Sequence, residues 1–476
     1  MSRESSINCE LTKDITMTEV IRFTWQALHA HFKTDDLLEL TSSHRRFYPH
    51  LLPDLQTMIE EQIAPLSPKL VGVHQFYDSE PMKLSDLIIR QEHAVVPITP
   101  LQYQDIDIGE EEPYASLHNG LWLFQIGDEP VAVFLSQFTA PYNGMTYVQV
   151  EIAFLPGEQA CDFSREFLRK IQEGCESSRY YRNKVLSFEE DAGTSGMQGT
   201  MRVHGLPAVC RNDLVLSEAT MARLDAHIFD FDGHREELKR LGQSTQKGIL
   251  LYGPPGTGKT HVIRHVCANL PGRTTVLVTA EQTIAIGFYI ALARTLQPSI
   301  VVLEDVDLVG RSREDVHGQK AERLLNRLLN EMDGLESGTD IFFFLTTNRP
   351  EDIEEALASR PGRVDEAIEI PLPDAGCRER LIALYGGALT FESGAVADAV
   401  ARSDGSSAVY VKEMVRRLAQ RSLARDGSHF VSRDDVEVVF GDSGVLSSRL
   451  NRRIVGLTDK ASRRKKAEED DSDCCG

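Results

Sequence analysis

The feature that most constrains this 476-residue chain is a glycine-rich loop, residues 253–260, which reads Gly-Pro-Pro-Gly-Thr-Gly-Lys-Thr. An apolar run typical of a strand, residues 248–252, precedes the loop, and a helix-like segment, residues 260–269, follows it. Glycines in such a strand-loop-helix unit let backbone N–H groups crowd around a phosphate, which a Cβ atom would prevent. The flanking patterns disfavour the alternative, a glycine-rich turn without a ligand. The loop therefore predicts binding of a nucleoside triphosphate.

Individual residues of the loop have separate expected roles. Lys259 reaches the β- and γ-phosphate oxygens, and the Thr260 hydroxyl is a ligand of Mg²⁺. The predicted cofactors are thus ATP and Mg²⁺. The predicted cofactor-binding residues are Gly253, Pro254, Pro255, Gly256, Thr257, Gly258, Lys259, Thr260 and His261.

A second apolar run, residues 299–303, ends in the acidic residues Glu304, Asp305 and Asp307. Its β-branched composition is typical of a parallel strand buried on both faces. Carboxylates at the carboxyl end of such a strand lie beside bound phosphates, where one can hold the metal's water shell and another can polarise the attacking water. The acidic strand end therefore strengthens the prediction of a triphosphate site.

A third run, residues 340–347, ends in Asn348, and the sequence Ser-Arg-Pro-Gly-Arg-Val-Asp follows at residues 359–365. With the loop and the acidic strand end, residues 248–365 resemble the AAA ATPases, which are hexameric unfoldases and remodelling machines. The resemblance implies an α/β phosphate-loop NTPase core with a parallel sheet and a small helical lid domain. None of residues 1–190 takes part in the resemblance.

The resemblance also implies roles for polar residues beyond the loop. Asn348 matches the residue that positions the lytic water and senses the γ-phosphate. Arg360 and Arg363 match the arginine fingers that act on the nucleotide of a neighbouring subunit, where an arginine is worth about 10³ to 10⁵ in rate in other phosphate-loop enzymes. Fingers supplied by a neighbour require a homo-oligomer, expected to be a hexamer. The alternative for the two arginines is a surface pair in a Pro-Gly turn.

One departure from the family concerns the acidic pair, which is Glu304-Asp305 here and Asp-Glu in most members. By position, Glu304 helps to hold Mg²⁺ through water together with Thr260, and Asp305 activates the attacking water. The same order occurs in the mitochondrial AAA chaperones that assist complex III assembly, so we expect hydrolysis, at a reduced rate. Asp307 is either a further active-site acid or a capping or turn residue.

A second departure concerns the loop with which AAA unfoldases grip polypeptide. Only Ile286-Gly287 followed by Phe288-Tyr289 is similar to it. The alternative is that Ile284, Phe288, Ala291 and Leu292 form the core face of an amphipathic helix, because these apolar residues recur at helical spacing. The sequence therefore leaves threading through a central pore open.

Composition limits the remaining function classes. A net charge of −21 argues against non-specific nucleic-acid binding, which needs basic residues to neutralise phosphates. The chain lacks a run of ~18 to 20 apolar residues and an N-terminal secretion signal, so we expect a cytoplasmic protein without a membrane partner. His261 and His265 are spaced to share a metal on one helix face, but a solvated or packed face is the favoured interpretation.

The sequence predicts five segments: an α+β recognition domain (1–190), a flexible linker (191–205), the large α/β ATPase domain (206–377), the helical lid (378–445) and a charged, disordered tail (446–476). The alternative role of the first domain is a structural cap. Our leading interpretation is a chaperone-like ATPase that remodels or unfolds protein partners as an oligomeric ring. The alternative is a nucleotide-dependent assembly or binding switch with slow or no hydrolysis.

Overall fold

The computed structural model describes residues 21–34, 36–74, 82–90, 95–139, 146–175, 178–190, 199–205, 209–279, 282, 286–308, 330–331, 338–351 and 364–441. The tail and residues 191–198 of the predicted linker lie outside these ranges. The chain divides into two compact units, the first within residues 1–107, 111–176 and 190–198 and the second within 108–110, 177–189 and 199–476. Within the described ranges, no helix has both the length and the apolar character needed to cross a membrane.

The first unit mixes strands and helices. Its strands are β1 (Thr41–Phe47), β2 (Lys69–Val73), β3 (Ile98–Thr99), β4 (Tyr103–Ile106), β5 (Tyr114–Leu117), β6 (Gly120–Ile126), β7 (Glu129–Thr139) and β8 (Thr146–Phe154). Its helices are α1 (Thr24–Phe32), α2 (Leu52–Ile63), α3 (Leu84–Leu87) and α4 (Glu158–Cys175).

Six strands of the first unit form a sheet in the order β1-β8-β7-β6-β2-β3, and β4 pairs with β5. Neighbouring strands in both sheets pair antiparallel. Side chains alternate between the faces of β7: Val131 and Val133 belong to the core under α2 and α4, whereas Ala132 and Phe134 belong to the core with α1 and α3. Helices thus cover both faces, and the predicted α+β class of this unit is confirmed.

The second unit contains the glycine-rich loop. Its strands are β9 (Val185–Glu190), β10 (Gly199–His204), β11 (Lys247–Tyr252), β12 (Thr274–Val278), β13 (Ser299–Leu303), β14 (Ile341–Thr347), β15 (Glu366–Glu369), β16 (Thr390–Phe391) and β17 (Phe430–Val431). Its helices are α5 (Glu218–Leu224), α6 (Phe231–Gly233), α7 (Arg235–Arg240), α8 (Lys259–Asn269), α9 (Ile286–Thr295), α10 (Ala375–Gly386), α11 (Ala395–Arg402), α12 (Ala408–Asp426) and α13 (Arg433–Phe440).

Seven strands of the second unit form a sheet in the order β10-β9-β12-β13-β14-β11-β15. The pairs β9·β12, β12·β13, β13·β14, β14·β11 and β11·β15 are parallel. All residues of β13 and β14 are buried, as expected for central strands of a parallel sheet. This arrangement confirms the predicted α/β phosphate-loop fold.

The chain after the sheet forms a helical lid. Helices α10 to α13 pack around a separate core that includes Leu381, Met414 and Leu418, and β16 pairs with β17 beside them. Each of α10, α12 and α13 begins with a side-chain cap, from Asp374, Ser407 and Ser432 respectively. The lid is therefore a small hydrophobic unit with well-defined helix starts.

The seven-stranded sheet differs from the sequence-based division at its β10 edge. Residues 185–190 were expected in the first domain and residues 199–204 in the linker. The structure pairs β9 with β12, through Val185 and Leu186, and β10 with β9. The physical reason is that β12 has a second hydrogen-bonding edge, and β9 satisfies it.

Candidate nucleotide-binding site

The glycine-rich loop connects β11 to α8 in a conformation that side chains would obstruct. Gly253 has φ 146°, and a Cβ atom at this position would lie 2.3 Å from the Ile370 carbonyl oxygen. Gly256 has φ 77°, and its added Cβ would lie 3.0 Å from the Ser407 hydroxyl. The Thr257 hydroxyl closes the loop by donating to the Pro254 carbonyl at 3.0 Å. The loop is thus a backbone cradle of the kind that phosphate binding needs.

Lys259 lies inside this cradle, with 6% of the residue exposed. Its ammonium donates to the carbonyls of Gly253 (2.8 Å) and Pro254 (3.1 Å) and to Asn348 Oδ1 (2.7 Å). Burial lowers the pKa of Lys259, while the charges of Asp305 and Asp307 act in the opposite direction. A cation is therefore held between the loop and the adjacent acidic strand end.

Asn348 links that cation to an acid. Strand β14, which ends one residue before Asn348, lies between β13 and β11. This order places the Asn348 side chain between Asp305 and Lys259. Asn348 Nδ2 donates to Asp305 Oδ1 at 3.0 Å, while its Oδ1 accepts from Lys259. The structure therefore brings together three predicted site residues from three neighbouring strands.

Asp305 has a backbone conformation that is unusual for a residue with a side chain, with φ 51°. Its N–H donates to the Thr346 hydroxyl at 2.8 Å, which fixes the turn after β13. Asp tolerates the left-handed region better than most residues, because its short polar side chain bonds locally. The shorter acid of the Glu304-Asp305 pair thus stands at the position where the backbone favours it.

The sequence left two roles open for Asp307, an active-site acid or a capping or turn residue. In the structure, its hydrogen bonds join it to the end of β14. It is 6% exposed, and its Oδ1 accepts from the Thr347 hydroxyl (3.0 Å) and from the Asn348 backbone N–H (3.1 Å). Sequence reasoning missed these contacts and the role of Thr346, because both depend on the register of β13 and β14. The one sequence signal for these contacts was the presence of acidic residues directly after an apolar strand.

The other predicted site residues are placed as follows. Thr260 is exposed at the start of α8, and Glu304 is half-buried at the end of β13. His261 is exposed, and its Nε2 lies 3.2 Å from the Asp213 carbonyl oxygen. Arg360 and Arg363 lie outside the described residues, so the finger assignment stays a prediction.

His265 does not face His261 across a metal. Its Nδ1 lies 2.9 Å from the Val209 carbonyl oxygen, and its ring contacts Phe229 with centroids 5.7 Å apart. No group of three or more His, Cys, Asp or Glu side chains suited to a metal occurs in the part of the chain that the structure describes. His265 is a packed residue that joins the segment before α5 to α8.

The lid contacts the loop through the start of α12. The Val409 N–H donates to the Gly256 carbonyl at 3.2 Å, close to Ser407 at the helix cap. A second contact comes from α10, where Arg380 Nη1 donates to the Leu216 carbonyl at 3.2 Å. The lid therefore contacts the loop directly, through the residues at the start of α12.

The aromatic residues that are similar to a polypeptide-gripping loop are packed. Phe288 and Tyr289 lie in α9, and each has its ring centroid 5.3 Å from that of Phe188 on β9. Tyr289 is 5% exposed. Of the two interpretations that the sequence left open, these contacts favour the core face of a helix.

Comparison with known proteins agrees with this geometry. Residues 249–372 match the family model described as ATPase family associated with various cellular activities (AAA). The chain is 30% identical over 291 residues to a 26S proteasome regulatory subunit 4 homolog of Dictyostelium discoideum, covering 58% of this chain and 60% of that protein. It is 30% identical over 213 residues to 26S proteasome regulatory subunit 10B of the same organism, covering 42% and 54%.

A bacterial protein is also similar. The chain is 29% identical over 288 residues to the ATP-dependent zinc metalloprotease FtsH of Pelobacter propionicus, covering 56% of this chain and 45% of that protein. The chain thus spans between 45% and 60% of the length of these curated relatives.

Proposed function

Residues 249–372 form an AAA ATPase domain, and from this premise we propose that the protein hydrolyses ATP at the carboxyl ends of β11, β13 and β14. The observation that carries the proposal is the chain of contacts from Lys259 through Asn348 to Asp305. The cation for the phosphates and the carboxylate for the water's proton are each hydrogen-bonded to the amide that would position the water, so the groups that this reaction needs lie side by side.

Each residue of the site has a distinct role in this proposal. Lys259 donates to phosphate oxygens in place of the carbonyls that it now contacts. Asn348 orients the attacking water, and Asp305 accepts the water's proton on its second oxygen. The exposed Thr260 hydroxyl and Glu304 fit an Mg²⁺ held partly through water, since oxygen ligands suit this ion. When bound, Mg²⁺ neutralises charge on the phosphates.

We further propose that the protein works as a homo-oligomeric ring, a hexamer, that remodels or unfolds protein partners. Arg360 and Arg363 would complete the site of a neighbouring subunit, because a guanidinium meets the charge that develops on the γ-phosphoryl group. Two of the relatives are named as subunits of the 26S proteasome, and the proposal that this protein also acts as part of an assembly agrees with those names. The first unit would recognise the partner. The cytoplasmic location stays a prediction of the sequence.

A nucleotide-dependent switch is the second candidate. The observation that favours it is that Asp305 is already bonded to Asn348 and has one methylene less than the glutamate usual at this position. A misplacement of about 1 Å can lower a catalytic rate on the order of a hundredfold. In this version, ATP mainly controls assembly and partner docking.

Steady-state turnover separates the two candidates. We expect the purified protein to release phosphate from Mg-ATP at about 1 s⁻¹ or somewhat below, the lower end of the usual range for enzymes. Turnover below about one ATP per subunit per hour, with nucleotide binding retained, would support the switch.

The ring is tested by mixing subunits. Arg360→Ala subunits and Lys259→Ala subunits are each expected to be inactive alone, and a mixture should recover activity if one subunit supplies the cradle and its neighbour the arginine. Sedimentation with ATP measures the oligomer directly. A monomer with full activity would contradict the ring. Affinity capture with Asp305→Asn in ATP would then identify the partner.

A further inference from the structure

Asp307 is a buried carboxylate that the proposed reaction does not use. It lies in the short helical turn Val306–Leu308, which begins three residues after the end of β13. A buried acid is costly unless it is bonded, and here one oxygen, Oδ1, accepts two hydrogen bonds from β14 and the residue after it. Its bonding is therefore directed at the end of the neighbouring strand.

The two bonds hold the backbone that carries Asn348. One donor is the hydroxyl of Thr347, which in turn accepts from the Arg349 N–H at 2.9 Å. The other donor is the N–H of Asn348 itself, at 3.1 Å. Three consecutive residues at the end of β14 are thus fixed by one carboxylate oxygen and one hydroxyl. These hydrogen bonds, which we call the Asp307 lock, fix the backbone just after β14 and so set the direction of the Asn348 amide.

The direction of that amide matters because both of its ends are used. Its Oδ1 lies 2.7 Å from Lys259 Nζ and its Nδ2 lies 3.0 Å from Asp305 Oδ1. A rotation of the residue would lose both bonds together, since lysine and aspartate lie on opposite sides of the amide. Asn348 can therefore serve the site only while its backbone is held.

We propose that Asp307 is a positioning residue that acts through Asn348, and not a third acid for the metal or the water. The proposal rests on the proposed ATPase function. Because the same carboxylate oxygen accepts both bonds, a carboxamide oxygen in its place can accept them too, whereas a methyl group cannot. The charge of Asp307 is dispensable in this account, and its acceptor oxygen is essential.

The test compares Asp307→Ala with Asp307→Asn in steady-state hydrolysis of Mg-ATP. We expect Asp307→Ala to lower kcat by ~10- to 100-fold and to change KM by less than about threefold, because a catalytic group is displaced and the cradle is intact. Asp307→Asn should recover most of this loss. In an Asn348→Ala background, Asp307→Ala should have little further effect, since residues that act as a unit are not additive.

Other results would overturn the proposal. If Asp307→Asn is as deficient as Asp307→Ala, the charge is needed and Asp307 is an active-site acid. If the Asp307→Ala and Asn348→Ala losses multiply in the double variant, the two residues act independently. An unchanged kcat for Asp307→Ala would remove the role altogether.

Two further measurements keep the test decisive. If Asp307→Ala does not fold, Thr347→Val removes the hydroxyl donor from the opposite side, and Thr347→Ser is its matched control; only Val should lower kcat. If the unmodified protein does not hydrolyse ATP, the proposed function fails separately. In that case the measurement is the preference for a non-hydrolysable ATP analogue over ADP, expressed as the ratio of the two affinities, because Asn348 would contact the γ-phosphate. Asp307→Ala should reduce this ratio as much as Asn348→Ala does. Asp307→Asn should leave it unchanged.

Discussion

The two ends of the parallel sheet in the second unit both carry clusters of charged side chains, but the clusters are built differently. At the amino ends, Arg273 precedes β12, Asp340 precedes β14, and the arginine bonds Asp340 (2.8 Å) and Asp232 (2.7 Å). Its side chain is fully buried and its guanidinium lies 4.0 Å from the Phe342 ring centre. Lys239 bonds the second oxygen of Asp340 at 2.9 Å.

At the carboxyl ends, the acids outnumber the cation among the described site residues. Asp305 and Asp307 act on one lysine, Lys259, and Glu304 directly follows β13; Thr260 is exposed at the start of α8. The amino-end cluster neutralises itself with partners of the same chain, so it has no requirement for a ligand. The carboxyl-end cluster instead combines a cation in a backbone cradle with the exposed Thr260 hydroxyl and the half-buried Glu304 carboxylate. The amino-end cluster is therefore suited to stabilising the fold, whereas the carboxyl-end cluster is arranged to bind a ligand.

The largest effect that we expect is on stability, at the amino ends. Arg273→Ala should lower the free energy of unfolding by about 3–5 kcal/mol, because it leaves Asp340 and Asp232 without their buried partner. Urea denaturation measures this loss. Asp225→Asn is a comparison variant at an ion pair with Arg211 that is more exposed, and it should cost less than about 1 kcal/mol. Equal losses in the two variants would contradict a special role for the buried cluster.

The next effect is on nucleotide affinity, at the carboxyl ends. Lys259→Ala should weaken binding of ATP about a hundredfold or more, since a charge-assisted hydrogen bond in a desolvated site is worth about 3 kcal/mol. Isothermal titration calorimetry measures the affinity. Lys239→Ala, which removes a lysine from the amino-end cluster, is the matched control and should bind ATP normally. If both lysines affect affinity equally, the two ends of the sheet do not differ as we describe.

A smaller expected effect on stability tests whether Phe288 is a packed core residue or part of a polypeptide-gripping loop. Phe288→Ala should lower the free energy of unfolding by about 1–2 kcal/mol, because Phe288 is half-buried and packs on Phe188 and Tyr289. Phe288→Leu should lose less, since it keeps most of the apolar contact. Thermal unfolding measures both variants. Unchanged stability, combined with loss of partner processing, would instead support a polypeptide-gripping role.

The amino-acid sequence predicted the parts of the site that depend on local spacing. The loop from Gly253 to Thr260, the acidic end of β13 and Asn348 after β14 each follow an apolar run, and parallel strands bring their carboxyl ends to one edge. The parallel sheet itself follows from those buried apolar runs. These elements could be predicted because neighbouring residues in the chain determine them.

What the sequence did not predict depends on strand order and register. The contact between Lys259 and Asn348 requires β14 to lie beside β11, and the lock formed by Asp307 requires β13 to lie beside β14. The addition of β9 to the sheet has the same origin, because a short apolar run such as residues 185–188 does not show which sheet it joins. The Arg273 cluster was missed because its members are distant in the sequence and each is common in surface loops.

The most direct test of the account is the release of phosphate from Mg-ATP by the unmodified protein and by Asp305→Asn, with nucleotide binding measured on both. We predict that Asp305→Asn binds ATP as tightly as the unmodified protein and hydrolyses it at least about a hundred times more slowly, because the acceptor of the water's proton is lost while the cradle is intact. Equal hydrolysis by the two proteins would contradict the account. The account would also be contradicted if Glu304→Gln stopped hydrolysis and Asp305→Asn did not, since the two acids would then have exchanged roles.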